Sequence, residues 1–346
     1  MCHRLFSLIL LILSPLGFLC SCEDDFEVSA PYKEQYVVYG LLDIGDTTRH
    51  TIRVQKLFQN EGVNAGVVAQ KPDSVYPPSE VEVFIIEKNP SNFQTLDTLR
   101  FDTDTANTKR SGFFLQEDHV LYRSLRDKSL NEDFVYQLLV RNRARSYRLR
   151  AETRLVGRPR FTRPRPRVDV VVFDFTDRDE VNRIAREIRF FPGINARSFG
   201  ISLRFFYDER RDGGPWKRQS LEYSITGAET QFIGGGGTQI SRYYDGGSLY
   251  RQIGGRLTAD PALQRRLVDS AVIVVANAEE ELENYIRLSQ VSGGPVESAP
   301  QYTNIENGLG VFSSRSSASR MVRFNQFSKD SLLDGRFTRD LNFQLP

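Results

Sequence analysis

The sequence predicts a mainly β protein: two consecutive β-sandwich, immunoglobulin-like domains, with a few short helices in the second. Three observations carry that expectation. Apolar and polar residues alternate with a period of two in many short runs. Clusters of Gly, Pro, Asp and Asn separate those runs. Stretches of helical periodicity are few. At 346 residues the chain suits roughly two domains of about 100–200 residues each.

Residues 1–21 stand apart from that pattern. Arg4 precedes a nearly unbroken apolar run from Leu5 to Leu13, then Ser14-Pro15 and a second apolar patch to Leu19. The run is short of the about 20 residues that span a bilayer and fits the core of a removable secretory signal. Leu19-Cys20-Ser21-Cys22 resembles the bacterial lipobox, with an aliphatic residue three before the acceptor cysteine and a small one directly before it. Cys22 is the acceptor that fits, because Leu19 would put a bulky side chain directly before Cys20. Lipidation there (palmitate-type acyl chains) anchors firmly, since each buried methylene contributes about 0.8 kcal/mol and more than one chain is attached. Cleavage before Cys22 removes Cys2 and Cys20, leaving no thiol pair for a disulfide. Residues 22–30 then form an acidic tether. Its Glu23, Asp24 and Asp25 resemble the export tag behind the lipidated cysteine of surface lipoproteins in Bacteroidetes-type bacteria.

Residues 31–156 form the first expected sandwich. Runs 35–42 and 50–58 are β-branched and aromatic, separated by the turn cluster Asp43-Ile44-Gly45-Asp46. Val81, Val83 and Ile85 share one strand face, as do Tyr136, Leu138 and Val140. Tyr147, Leu149 and Ala151 oppose Arg148, Arg150 and Glu152. Residues 157–167 hold three prolines, which cannot join a central ladder, so a stiff linker or an edge crossing is expected at the domain boundary.

The second sandwich, residues 168–346, opens with the apolar run 168–175. Residues 200–207 and 217–226 form a hairpin around Asp212-Gly213-Gly214-Pro215, and 268–276 is a further strand. Helical spacing places short helices over Val181–Ile188, after Asp260-Pro261 through Leu267, and after Asn277 around Leu282, Tyr285 and Ile286.

Composition narrows the chemistry. Basic and acidic residues nearly balance, 46 against 44, so a general polyanion or nucleic-acid binder is not expected. Three histidines give no metal-site spacing, and no catalytic or cofactor-binding motif is present. His50 and His119 read as surface residues, and no cofactor is expected. The densest charge lies between Arg141 and Arg167, where eleven arginines face the single acid Glu152. Guanidinium forks suit phosphate or carboxylate, while strand alternation alone would place Arg148 and Arg150 on a wet face. Asp174, Asp177 and Asp179 offer hard oxygen ligands for calcium, but the loop glycine and spacing of a calcium loop are missing; the acids equally suit a helix start. Gly234–Gly237 and the later pairs Gly246-Gly247 and Gly254-Gly255 read as flexible loop. Near them Tyr243, Tyr244 and the single tryptophan, Trp216, are candidates for stacking on a glycan or peptide ligand.

Tyr302-Thr303-Asn304-Ile305-Glu306-Asn307-Gly308-Leu309-Gly310-Val311-Phe312-Ser313-Ser314 resembles the closing signature of a group of Bacteroidetes-type lipoproteins that carry a domain of unknown function. The group is similar in its lipidated start and its YVVYGLL-like first strand. The resemblance supplies no catalytic residues. It implies an outer-membrane lipoprotein exposed at the cell surface, accompanying a TonB-dependent transporter. Within the motif, Asn307-Gly308 and Gly310 read as a turn or bulge leading into a late strand that closes the second sheet. The functional expectation is a non-enzymatic binding or accessory component. The alternatives are a surface glycan- or peptide-cleaving enzyme and a structural envelope or adhesion module.

Overall fold

Tyr36, Val38, Gly40 and Leu42 are the buried alternates of β1 (Tyr36–Asp43), and this period of two recurs through most of the molecule. The computed structural model describes residues 35–57, 79–106, 119–144, 146–165, 171–173, 187–211, 213–225, 231–232, 237–244, 246–260, 263–289 and 302–345. The expected signal, the acidic tether with Cys22, Glu23, Asp24 and Asp25, and the calcium candidates Asp174, Asp177 and Asp179 lie outside them.

The described strands make a mainly β fold, and most of them share one mixed, 14-stranded sheet. Its first half is built from β1, β2 (Thr51–Lys56), β3 (Val81–Lys88), β4 (Thr95–Ala106), β5 (His119–Ser124), β6 (Val135–Asn142) and β7 (Tyr147–Arg154). Their order is β1-β2-β5-β4-β3-β6-β7. The expected inward faces are the buried ones: Val81, Val83 and Ile85, then Tyr136, Leu138 and Val140, then Leu149 and Ala151. All belong to one core. The turn after β1 forms as the sequence indicates, with the Asp43 side chain accepting from Gly45 N at 2.8 Å.

The second half contains β8 (Arg160–Arg163), β9 (Val171–Phe173), β10 (Glu187–Phe191), β11 (Ser198–Arg211), β12 (Lys217–Ser224), β13 (Gln231–Phe232), β14 (Ile240–Tyr243), β15 (Leu263–Ala278), β16 (Leu309–Phe324) and β17 (Phe343–Gln344). Helices α1 (Gly246–Arg256), α2 (Glu280–Ser289) and α3 (Gln326–Asp334) lie between them. β12, β11, β15 and β16 are consecutive in the large sheet, while β14, β10 and β8 form a separate three-stranded sheet. A second core gathers Phe199, Ile201, Leu203 and Phe205 from β11 and Ala271, Ile273 and Val275 from β15. It is covered by Leu249, Tyr250 and Ile253 of α1, with Phe161 and Phe190 from the small sheet.

Where two separate sandwiches are expected, one strand joins the halves. Residues Leu309–Arg315 of β16 pair in parallel with Val37–Asp43 of β1, and Arg315–Val322 pair antiparallel with Ala271–Ala278 of β15. The late strand therefore closes the first half as well as extending the second. Three details make this join tight. Phe312 lies opposite Gly40, where a Cβ would come within 2.8 Å of its ring. Gly310 adopts φ 105°, and a Cβ there would meet Val38 O at 2.0 Å. Glu306 bridges to Arg150 of β7, so the first half curls almost into a closed ring.

Residues 157–165 run as an edge crossing: Phe161 packs in the second core, and β8 pairs with β10 at the edge of the three-stranded sheet. Three further expectations change. Of the helix expected over Val181–Ile188, only the end is described, and there Ile188 is a buried residue of β10. Residues from Leu263 onward form β15 and not a helical turn, because β11 offers them a ladder running from Arg211 back to Ser198. His50 is buried, its Nε2 at 2.7 Å from Lys128 O; His119 begins β5, and its side chain lies outside the described residues.

Candidate functional site

The β11–β12 hairpin presents one of the two aromatic candidates that solvent can reach. Trp216 is 41% exposed at the tip of a turn whose Gly213 has φ 71°, a conformation that favours glycine. Gly214 N donates to Arg211 O at 2.7 Å. Arg210 then braces the tip: Nε donates to Gly214 O at 3.2 Å, and one terminal nitrogen donates to Gly213 O at 3.3 Å. Its guanidinium lies 5.9 Å from the Trp216 ring centre, within cation–π range. A cleft of about 370 Å³ beside the tip is lined by Glu209, Arg211, Pro215, Lys217 and Gln219. A fixed, exposed indole next to charged and amide groups can stack on a sugar ring or a peptide side chain while neighbours hydrogen-bond to it.

The other two aromatic candidates sit elsewhere. Tyr243 ends β14 in the three-stranded sheet, exposed, with its hydroxyl 3.5 Å from Glu187. Tyr244 is buried in the second core and offers no ring to solvent. Glu187 is itself buried. Burial opposes its charge, yet hydrogen bonds from Arg189 and Ser241 and the nearby Arg163 hold it below the usual carboxylate range.

Within the arginine-rich stretch, some of the described members pair with acids and others stand exposed. Glu82 collects Arg141 at 2.6 Å, Arg100 at 3.5 Å and Arg143. Burial would raise its pKa, and the hydrogen bonds from Arg141 and Arg143 more than reverse that. Arg148, Arg150 and Arg154 alternate outward along β7 and are exposed, as the period of two indicates. Beside Glu82 a cleft of about 340 Å³ is lined by Arg100, Asp102, Thr103, Tyr122 and Arg143. The Tyr122 hydroxyl is pushed up to about 12, by burial and then by Asp102.

No protein-family model matches this chain, and no curated protein matches it. The site is therefore read from its own residues.

Among the described residues, no group of three or more His, Cys, Asp or Glu is placed to hold a metal ion. No helix among them is long and apolar enough to cross a membrane. Sequence reasoning missed two arrangements. The first is Arg210, whose role needs the hairpin to be formed. The second is Glu279, which accepts from Ser313 Oγ at 2.7 Å and from Glu281 N at 3.0 Å, capping α2. The helix expected after Asn277 forms over Glu280–Ser289, but Asn277 itself belongs to β15 and does not cap it. Burial pushes the Glu279 carboxyl up, although the Ser313 hydrogen bond opposes it. The closing motif proves to be a clasp: Asn304 Nδ2 donates to Phe312 O at 2.7 Å, and Phe312 N donates to Asn304 Oδ1 at 2.9 Å.

Proposed function

We propose that this chain is an outer-membrane, lipid-anchored lipoprotein exposed at the cell surface, and that it acts as a non-enzymatic binding or accessory component beside a TonB-dependent transporter. The observation that carries the reading is the Leu19-Cys20-Ser21-Cys22 segment with Glu23, Asp24 and Asp25 behind it, placed shortly ahead of β1 at Tyr36. The braced Trp216 hairpin supports capture of a glycan or peptide. The separate cores support the finer description of the halves as two sandwich-like units, which the shared β16 joins in one sheet.

The test is purification of the intact lipoprotein from its native membrane. Copurification of a β-barrel transporter is the expected result, and a solitary protein contradicts the accessory role.

A further inference from the structure

The outward face of β6 and β7 combines exposed cations with apolar surface. Cross-strand register sets Arg148 beside Arg141, Arg150 beside Leu139, Leu139 beside Phe84 and Phe84 beside Arg100. A half-buried apolar pair, Phe84 and Leu139, is thus framed by Arg100 and Arg150. Of the nearby acids, Glu82 is engaged by its three arginines and Glu152 by Lys88 at 3.2 Å, while Glu306, exposed and bridged to Arg150, lies at the edge of this face. Arg148, Arg150 and Arg154 have no carboxylate partner among the described residues.

The chain enters the fold at this same end. The Tyr36 ring stands 5.5 Å from that of Tyr147, the first residue of β7. Asn142, the last residue of β6, donates from Nδ2 to the Tyr36 hydroxyl at 3.3 Å. Cys22 precedes Tyr36 by fourteen residues, a reach of at most about 50 Å at full extension. An anchor at Cys22 therefore keeps the β6–β7 end within that distance of the bilayer.

We propose that the outward face of β6–β7 docks on phosphate-bearing lipid headgroups of the membrane that holds the anchor. This rests on the lipid-anchor reading above. Guanidinium forks bind phosphate oxygens bidentately, and such contacts act within a Debye length, about 8 Å at physiological salt. Phe84 and Leu139 sit where an interfacial surface places apolar side chains at headgroup depth. The face supplies the second attachment that fixes the orientation of an anchored domain. The hairpin that carries Trp216 belongs to the opposite end of the strand order.

The experiment uses the full mature chain with Cys22→Ser, so that no lipid can be attached, sedimented with two kinds of vesicle. One is phosphatidylcholine alone; the other has a third of its lipid replaced by phosphatidylglycerol. Binding to the anionic vesicles only, weakening as salt rises, is expected. Replacing Arg148, Arg150 and Arg154 together by Gln lowers that affinity about a hundredfold, at about fivefold per arginine. Arg265→Gln, an exposed cation of β15, leaves it within about twofold. The triple variant keeps the parent's thermal midpoint, because these side chains point to solvent. Equal binding to both vesicles, or undiminished binding by the triple variant, overturns the proposal. So does binding to a soluble acidic polysaccharide alone. Binding that appears only when Glu23, Asp24, Asp25 and Glu27 are made neutral assigns the face to the chain's own acidic run, and also overturns it. An unmodified Cys22 in the native protein would refute the anchor without altering the vesicle result, so the two failures are distinguishable.

Discussion

The two halves of the molecule bury their cores by different means. The first half curls one sheet around its own apolar alternates until Glu306 meets Arg150. The second keeps its strands open and covers one face with α1, α3 and the three-stranded sheet. A curled sheet needs a strand to close it, and here that strand is supplied by a segment more than two hundred and fifty residues downstream of β1. An open sheet needs only covering elements. The comparison teaches that the first half depends on the second for completion, whereas the second half depends on the first much less.

Gly310→Val should break this relation most severely. The new side chain collides with Val38 backbone in a conformation with φ 105°, a cost beyond about 5 kcal/mol. Chemical denaturation followed by circular dichroism and by Trp216 fluorescence tests it. Loss of part of the circular dichroism signal with the Trp216 transition retained is the expected result, and coincident loss of both signals would contradict it.

Arg266→Ala acts on the second half. Arg266 is 2% exposed and donates to Glu209 at 2.9 Å and to Leu341 O at 2.7 Å, so its removal leaves a buried carboxylate and releases the C-terminal segment. A loss of about 3–5 kcal/mol is expected, read by the same denaturation. Asn304→Ala removes both hydrogen bonds of the clasp and should cost about 1–3 kcal/mol, with the first-half signal falling earlier than in the parent.

Acid should loosen the first half. Lys128 and Arg126 hold the Asp97 carboxyl down to about 2, against burial. A carboxyl lower in the folded than in the unfolded state stabilises fully above the unfolded value, about 3.9. That stabilisation is lost as pH falls from about 4 to about 2. Asp97→Asn should flatten the pH dependence of stability over this window by about 1 kcal/mol after solvent screening, measured by denaturation at a series of pH values. Trp216→Ala should be the mildest change for the fold, within about 0.5 kcal/mol, and should abolish retention on an immobilised glycan or peptide if the hairpin is the binding site.

The strands most legible in the sequence are those whose faces differ sharply, such as β3 and β7 with their alternating burial. The β11–β12 hairpin was legible through its Asp-Gly-Gly-Pro turn. α1 was hidden by Gly246, Gly247, Gly254 and Gly255, which read as loop; tertiary packing overrides that preference, and Gly254 is needed because a Cβ would meet Phe337 O at 2.3 Å. The start of β16 was legible as the late strand at Val311-Phe312, but its length was hidden by its serines. Ser313, Ser314 and Ser316 are buried not as apolar alternates but as connectors, donating to Glu279, Arg154 O and Gly157 O. No periodicity marks such a strand, since its inward face is satisfied by hydrogen bonds from distant segments. The Trp216 candidate was visible as a composition rarity, but its bracing by Arg210 depends on the turn being formed.

Attachment to a membrane at Cys22 is the claim on which the binding role and the arginine face both depend. Mass spectrometry of the N-terminal peptide from protein isolated out of its native membrane measures it directly. A chain that begins at Cys22 with acyl chains joined through its sulfur is the expected result. A free sulfur at Cys22, or a chain that begins elsewhere, would contradict it.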